Sequence, residues 1–303
     1  MMKIPVILDT DIGTDIDDAW AVTVMLKRPE LEPLLISTAT GETGRRCGIV
    51  HRLLAAAGRA DIALAAGKQL ACNNEVIQYE LVSRDDTPPS YPDAAEAIRN
   101  AVLSQAPQHV TLICIAPQSN IAEVVERFPE IVPSIDFVAM EGSLEHGIDG
   151  SQGKIAEWNV KCDIAAAQKV LRAPWHSVTI TPLDTCGIVR LPGNWLEKLR
   201  RSGSLQQELA AQFLAWLHRW DSDGVRNIRN SNVPQSLTSV LFDTVAIHLA
   251  YSHDFLEMQE MKLIVDDDGF LRESPEGSQV NVAIRWRDYD GYCDMLAKTI
   301  MDF

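Results

Sequence analysis

The chain has 303 residues, 46% of them hydrophobic, and a formal net charge of −15 at pH 7, so it can bury a large core. The negative charge would repel a phosphate backbone, and we expect no nucleic acid partner. No apolar run reaches the roughly 18 residues of a membrane span, and the start MMKIPVILDTD lacks an export signal, which predicts a cytoplasmic protein without a membrane partner.

The first two thirds of the chain alternate β-branched runs with segments of helical spacing. Six strands are predicted, at residues 5–11, 31–40, 62–67, 109–116, 136–140 and 177–184. Five helices are predicted between them, at residues 16–27, 43–57, 93–106, 118–127 and 163–172. The strands are almost wholly apolar, as strands covered on both faces must be. This predicts an α/β fold with an open, mostly parallel, Rossmann-like sheet and helices on both faces.

The rest of the chain completes one domain, which we expect to span residues 1–303. It is predicted to be mainly helical to about residue 250, followed by strands at residues 254–264 and 279–286 and a closing helix. Turn-forming residues at 84–92 and 266–278 predict long surface loops. No linker or internal repeat divides the sequence.

The six cysteines lie far apart, with no Cys-x-x-Cys pair. Zinc sites and disulfide frameworks favour closer spacings, so neither is expected. We interpret all six as reduced and mostly buried thiols.

Five aspartates fall within ILDTDIGTDIDDAW, residues 7–20, at the end of the first predicted strand: Asp9, Asp11, Asp15, Asp17 and Asp18. Ligands of open parallel sheets bind beyond the carboxyl ends of the strands, which is where this segment should lie. A helix N-terminus stabilises one carboxylate by about 0.3–1 kcal/mol, less than several converging carboxylates lose by repulsion. Oxygen donors without nearby histidine or cysteine suit a hard cation such as Ca²⁺.

The aspartate segment could also be a helix cap, an EF-hand or a phosphatase site. Asp15 and Asp17 could simply cap the following helix while the rest of the aspartates face solvent. An EF-hand fits poorly, because Thr14 stands where glycine is required and Trp20 where glutamate is required. A magnesium-dependent aspartyl-phosphate phosphatase also begins with Asp-x-Asp after its first strand, but it normally has Thr or Val where this chain has Gly13.

The segment DTDIGTDIDDA resembles the signature DTDxGxDDA of the inosine-uridine nucleoside hydrolase family, lengthened by two residues. Four further blocks resemble the family in the same order: PELEPLLISTATGETGRRCGIVHRLLAAAGRADIALAAG, IAPQSNIAEVVERFPEI, VAMEG with AEWNVKCDIAAAQKV, and LFDTVAIHLA. Five collinear blocks cover most of the chain. The resemblance implies an N-glycosidase of ribonucleosides that assembles as a homodimer or homotetramer.

The resemblance implies a Ca²⁺ site formed by Asp11, Asp18, Asp243 and the backbone carbonyl of Ile115. It also implies that Asp11 acts as the base toward the attacking water. Hydrolysis of an N-glycosidic bond passes through an oxocarbenium-like sugar, which surrounding carboxylates stabilise. The expected reaction is therefore calcium-dependent hydrolysis of a ribonucleoside, or a close ribosyl analogue, to ribose and free base.

Further substrate contacts follow from the same resemblance. Asp17, Glu157 and Asn159 would hold the ribose hydroxyls. Glu42 and Ser151 stand where many members of the family carry asparagines, which suggests an altered substrate pocket. Trp158 stands at an aromatic position of the family, where packing against the substrate and burial in the core are both open.

The chain differs from the family at the positions of the histidines that would protonate the leaving base. Phe242 replaces a histidine of the purine-type enzymes, and residues 68–92 contain no histidine. Tyr79, Arg226 and Arg229 are alternative acids, and a base that departs without help is a further alternative. The missing histidines also keep open a different class of function, a non-catalytic ribosyl-binding or regulatory protein.

Three polar residues outside the aspartate segment are predicted to have structural roles. Arg45 and Arg46 should lie at an exposed helix start, where one of them could neutralise Glu42. Asn120 should bond local backbone at the start of a helix.

Overall fold

A computed structural model describes residues 3–69, 78, 81–82, 90–222 and 237–301, with residues 219–222 described as backbone alone. All six strands predicted in the first two thirds of the chain are present, within a few residues of their predicted ends. They are β1 (Ile4–Thr10), β2 (Leu31–Thr38), β3 (Ala63–Ala66), β4 (Val110–Cys114), β5 (Ile135–Met140) and β6 (Ser177–Thr181). Most of their residues are buried, as the apolar pattern predicts, although β3 has one buried residue of four.

Three more strands extend the sheet: β7 (Leu256–Val265), β8 (Leu271–Glu273) and β9 (Ser278–Trp286). The strand order is β3-β2-β1-β4-β5-β6-β9-β7-β8. Strand β7 is antiparallel to both of its neighbours, whereas the other pairs are parallel. The predicted open and mostly parallel sheet is confirmed. The prediction of a loop over residues 266–278 is wrong in part, because β8 forms there by pairing with β7.

Helices cover both faces of the sheet, as predicted. The described helices are α1 (Asp17–Lys27), α2 (Thr43–Ala56), α3 (Ala94–Gln105), α4 (Ser119–Arg127), α5 (Trp158–Cys162), α6 (Ile164–Leu171), α7 (Leu183–Cys186), α8 (Trp195–Arg200), α9 (Ser204–Ser222), α10 (Phe242–Leu249) and α11 (Tyr289–Met301). Val6 and Leu8 of β1 join one apolar cluster with α1, α2 and α8–α11, while Ile7 joins a second cluster with α3, α4 and α6. This alternation follows from the two-residue period of a strand. None of the described helices is long and apolar enough to cross a membrane.

The order of the strands reverses at β1. The chain adds β2 and β3 on one side of β1 and then returns to place β4 on the other side. Asp9 of β1 pairs with Ser37 of β2 and with Cys114 of β4, and the amide of Ile115 donates to the Asp9 carbonyl at 2.9 Å. Such a reversal opens a crevice at the carboxyl ends of the two diverging strands. The aspartate segment follows β1 directly into this crevice.

Candidate functional site

The segment after β1 makes a tight turn before α1 begins. Gly13 in this turn has φ of 107°, a conformation that other residues rarely adopt. The Asp15 carboxylate accepts a hydrogen bond from the backbone amide of Ile16 at 2.7 Å. Ile16, the residue before α1, does not cap the helix with its side chain. Asp17 and Asp18 then lie in the first turn of α1, with exposures of only 5% and 3%. The alternative of solvated, helix-capping aspartates therefore does not describe this segment.

A third carboxylate reaches the same place from a distant part of the chain. Asp243 lies in the first turn of α10, which packs against α1, and it is 3% exposed. Asp17, Asp18 and Asp243 each offer one carboxylate oxygen within 4.8 Å of the others. Asp18 and Asp243, two of the three side chains predicted to bind the metal, therefore lie close together, and Asp17 lies with them.

Burial and mutual repulsion dominate the electrostatics of this cluster. Burial, followed by the charges of Asp11 and Asp17, raises the pKa of Asp18 well above its ordinary value. Burial, followed by the charge of Asp17, does the same to the pKa of Asp243, and burial with the charge of Asp15 raises that of Asp17. Without added positive charge these carboxyl groups therefore retain protons at pH values where exposed aspartates are ionised. Buried oxygen donors that repel each other fit a hard divalent cation.

Arg46 supplies one positive charge beside the aspartates. The prediction that it lies at an exposed helix start is wrong, because its side chain is wholly buried. Its guanidinium donates to the carbonyls of Thr40 and Ile12 at 2.8 Å each and also to the carbonyl of Asp11. The charges of Asp11 and Asp18 oppose the lowering of its pKa by burial. One guanidinium offsets part of the negative charge and leaves an excess.

Arg45, the neighbouring residue, is also buried rather than exposed, with 8% exposure. Its Nη1 lies 2.9 Å from Oε2 of Glu42, so the predicted neutralisation of Glu42 is observed. The Glu42 side chain is 53% exposed, just before α2. The structure therefore places Glu42 at the surface, paired with a buried arginine.

Asp9 is held beneath the aspartate segment by a network that the sequence did not predict. Its Oδ1 accepts from Ser37 Oγ at 2.6 Å and from Asn120 Nδ2 at 2.8 Å, and the same Asn120 amide donates to the Thr38 carbonyl at 3.0 Å. The prediction of a local backbone role for Asn120 is wrong, because both partners lie on other elements. Burial raises the pKa of Asp9 to about 7. Asn120 thereby ties the ends of β1 and β2 to α4.

The predicted ribose contacts Glu157 and Asn159 lie at the start of α5. The Glu157 carboxylate accepts from the amides of Asn159 at 2.8 Å and of Val160 and Gly142 at 3.2 Å each. Burial raises the pKa of Glu157 to about 7. Asn159 is 7% exposed, and its side-chain Nδ2 donates to the carbonyl of Met140 at 3.3 Å. Both residues are therefore fixed at the carboxyl end of β5.

The remaining predicted site residues differ in exposure. Trp158 is 50% exposed, which excludes the core-burial alternative, and Ser151 is exposed in the loop between β5 and α5. Ile115, directly after β4, is buried, and Phe242 at the start of α10 is partly buried against the apolar cluster of that face. The alternative acids, Tyr79, Arg226 and Arg229, lie outside the described residues.

Glu141 is a buried acid within the block VAMEG, and the sequence predicted no role for it. It follows β5 directly, is 1% exposed, and accepts from the side-chain amide of Gln118, which is equally buried. Burial raises the pKa of Glu141 to about 7, and the charge of Glu157 contributes in the same direction. An acidic residue directly after an apolar strand is the signal that could have found it.

The cysteine prediction holds in part. Cys47, Cys114, Cys186 and Cys293 are free and buried, as expected. Cys162, at the end of α5, is disulfide-bonded, so the prediction of six thiols is wrong. Its partner lies outside the described residues, and wide spacing in the sequence does not exclude a bond between segments that the fold brings together.

Comparison with known proteins gives a consistent result. The family model described as inosine-uridine preferring nucleoside hydrolase matches residues 6–290. A non-specific ribonucleoside hydrolase of Escherichia coli is 32% identical over 252 residues, covering 73% of this chain and 81% of the relative. A pyrimidine-specific ribonucleoside hydrolase of Salmonella arizonae is 26% identical over 317 residues, covering 99% of both chains.

A solved plant nucleoside hydrolase has a similar fold. It superposes with a TM-score of 0.76 at 20% identity and covers 99% of both chains. At this identity the likeness concerns the fold, and it agrees with the sheet and helices described above.

Replacing Arg46 should test how far it stabilises the buried carboxylates. We expect Arg46→Met to lower the free energy of unfolding by about 3–5 kcal/mol, because it leaves buried negative charge and carbonyls without their partner. The measurement is urea denaturation in the presence of a chelator. Arg59→Met is the control, since Arg59 pairs with Asp61 at the surface, and it should change little. Equal losses in the two variants would contradict the assigned role.

Glu141 should make stability depend on pH. Its pKa is about 7 in the folded chain against 4.5 ordinarily, so the folded state binds the extra proton. The contribution of Glu141 to the free energy of unfolding is fully present below its ordinary pKa of 4.5 and is lost as the pH rises through about 7. We expect Glu141→Gln to reduce the fall in unfolding free energy between about pH 5 and pH 8 by roughly 2–3 kcal/mol. Urea denaturation at both pH values measures this, with exposed Glu145→Gln as the control. A wild-type pH dependence retained in Glu141→Gln would refute the assignment.

Proposed function

The chain belongs to the inosine-uridine preferring nucleoside hydrolase family, and from this we propose that it hydrolyses the N-glycosidic bond of a ribonucleoside, or a close ribosyl analogue, to ribose and free base. One observation supports the proposal above all. Buried carboxylates from the first turns of α1 and α10, Asp17, Asp18 and Asp243, converge within 4.8 Å at the carboxyl side of the sheet. Aspartates without a ligand would remain in solvent, because burying several unpaired carboxylates together costs free energy.

We propose that Ca²⁺ is the cation at this site. Asp11, Asp18, Asp243 and the carbonyl of Ile115 would hold it, with substrate hydroxyls and water completing the 6–8 oxygen ligands that Ca²⁺ typically takes. When bound, the ion would orient the sugar hydroxyls and make water somewhat more acidic. Buried oxygen donors that carry raised pKa values suit this hard ion.

The protein's own groups would carry out the remaining steps. Asp11 would take the proton of the attacking water, since Ca²⁺ acidifies water too weakly to release it unaided. The buried carboxylates would stabilise positive charge that develops on the sugar as the bond to the base breaks. Asp17, Glu157 and Asn159 would hold the ribose hydroxyls, with Glu157 kept in place by its three backbone amides.

The outer part of the pocket would contact the rest of the substrate. We assign polar contacts to Glu42 and Ser151 and stacking on the base to Trp158, whose ring is half exposed. Phe242 has no proton to donate to the leaving base, so a general acid must come from another residue if the reaction uses one. The crowded carboxylates would repel a 5′-phosphate, and nucleosides should therefore react faster than nucleotides.

The metal cluster and the base can be tested separately. We expect Asp243→Asn to weaken Ca²⁺ binding and to lower kcat/KM, whereas Asp11→Ala should lower kcat by about 10²–10⁴-fold because it also removes the base. A reducing-sugar assay over a panel of nucleosides, with and without chelator, measures turnover, and calorimetry measures Ca²⁺ and ribose binding. Surface Asp61→Asn is the matched control.

Three results would contradict the proposal. Turnover unaffected by chelator would exclude the calcium site. Ribose binding without turnover of any nucleoside would favour a non-catalytic ribosyl-binding protein instead. Faster hydrolysis of inosine monophosphate than of any nucleoside would refute the predicted exclusion of a 5′-phosphate.

Trp158 should affect substrate binding more than stability. We expect Trp158→Ala to raise KM by roughly tenfold, the effect of losing one base stack, with little change in kcat. Thermal unfolding should hardly change, because half of the side chain is already exposed. Leu103→Ala on α3, with 46% exposure, is the control for removing an exposed apolar side chain. An unchanged KM would exclude Trp158 from the substrate site.

A further inference from the structure

The opposite edge of the sheet carries a second group of metal-ligating side chains. His109 directly precedes β4, His176 directly precedes β6, and Asp136 is the second residue of β5. These three strands are adjacent and parallel, so their amino ends meet at one edge. The aspartate cluster lies at the carboxyl edge of the same sheet, and the two groups are therefore separate.

The three side chains already face one another. Each offers one ligand atom within 4.8 Å of the others. His176 Nδ1 lies 2.8 Å from Asp136 Oδ1, His109 Nδ1 lies 4.0 Å from Asp136 Oδ2, and the two imidazole centroids are 3.9 Å apart. Ligands about 2.1 Å from a tetrahedral zinc ion lie about 3.4 Å from each other, so the observed separations bracket that geometry.

The backbone and a neighbouring hydroxyl fix this arrangement. The amide of His176 donates to the carbonyl of Ile135 at 3.0 Å, which sets the start of β6 beside β5. Ser177 Oγ donates to Asp136 Oδ1, the oxygen that faces His176. A hydrogen bond to a ligating carboxylate is the kind of outer contact that orients ligands in metal sites.

We propose that His109, Asp136 and His176 bind one transition-metal dication of the Zn²⁺ type. Two imidazoles and one carboxylate are a donor set for Zn²⁺, whereas the oxygen-only cluster at the other edge is a donor set for Ca²⁺. Side-chain exposures of 39%, 33% and 52% leave room for water as a fourth ligand. The bound ion would join the amino ends of β4, β5 and β6 and act on stability rather than on turnover.

A simpler arrangement is one in which Asp136 only forms ion pairs with its two histidines. His176 Nδ1 and Asp136 Oδ1, 2.8 Å apart, are within hydrogen-bond distance, so a neutral imidazole can also hold the carboxylate. A dication bound by both imidazoles and the carboxylate would take the place of this hydrogen bond. The two arrangements therefore predict different responses to added metal. Only the metal site should bind the ion and become more stable.

The test is a Zn²⁺ titration of the full chain by calorimetry, with Ca²⁺ in excess so that the aspartate cluster is saturated. We expect one Zn²⁺ per chain and a rise in Tm, because the ion binds the folded state. The His109→Ala/His176→Ala double variant should lose roughly tenfold or more in affinity and the rise in Tm. Asp136→Asn is the second variant, and His51→Ala, an exposed histidine of α2, is the control.

The outcomes are distinguishable from a failure of the proposed hydrolase function. Nucleoside turnover of the double variant in Ca²⁺ should equal that of the wild type, which also shows that the variant is folded. No Zn²⁺ bound by the wild type, or undiminished affinity in the double variant, would overturn the site. Loss of Zn²⁺ binding in His51→Ala to the same extent would also overturn it.

Discussion

Repulsion among buried carboxylates is the constraint on which the rest of the structure depends. Asp17, Asp18 and Asp243 lie in first turns of helices, where the helix dipole stabilises each by about 0.3–1 kcal/mol. That is less than the cost of burying like charges so close together, as their raised pKa values indicate. Arg46 offsets one charge, and protons or a divalent cation must offset the others. In the proposed reaction this positive charge would come first from the ion and then from the sugar.

A network of hydrogen bonds around the carboxylate cluster fixes the strand ends that surround it. Asn120 joins Asp9 to the Thr38 carbonyl, and Arg46 joins the turn after β1 to the carbonyl of Thr40. Both bring the end of β1 to the end of β2, on one side of the crevice. On the other side, backbone amides hold Glu157 at the end of β5. A site fixed in advance needs little rearrangement when charge develops, which is where catalysis gains most.

Local patterns in the sequence predicted the strands and the aspartate segment because each is encoded by consecutive residues. Arg46 was placed wrongly because its partners are carbonyls up to 35 residues away, and no local pattern shows that a helix start will be buried there. Asn120 was placed wrongly for the same reason, since it lies 111 residues from Asp9. Strand β8 has only three residues and forms by pairing with β7, within a stretch whose turn-forming residues predict a loop.

Phe242 leaves the start of α10 without a side chain that could protonate the leaving base. Its ring packs on the apolar cluster next to Asp243, so the start of α10 would supply the proposed metal ligand but no proton donor. General acid catalysis contributes about 10²–10⁴-fold where it operates. Without it at this position, the proposed reaction depends more heavily on stabilising the sugar cation with carboxylates. The rate should then follow how readily each base leaves, which would make the chemistry of the leaving group, rather than its shape alone, a determinant of substrate choice.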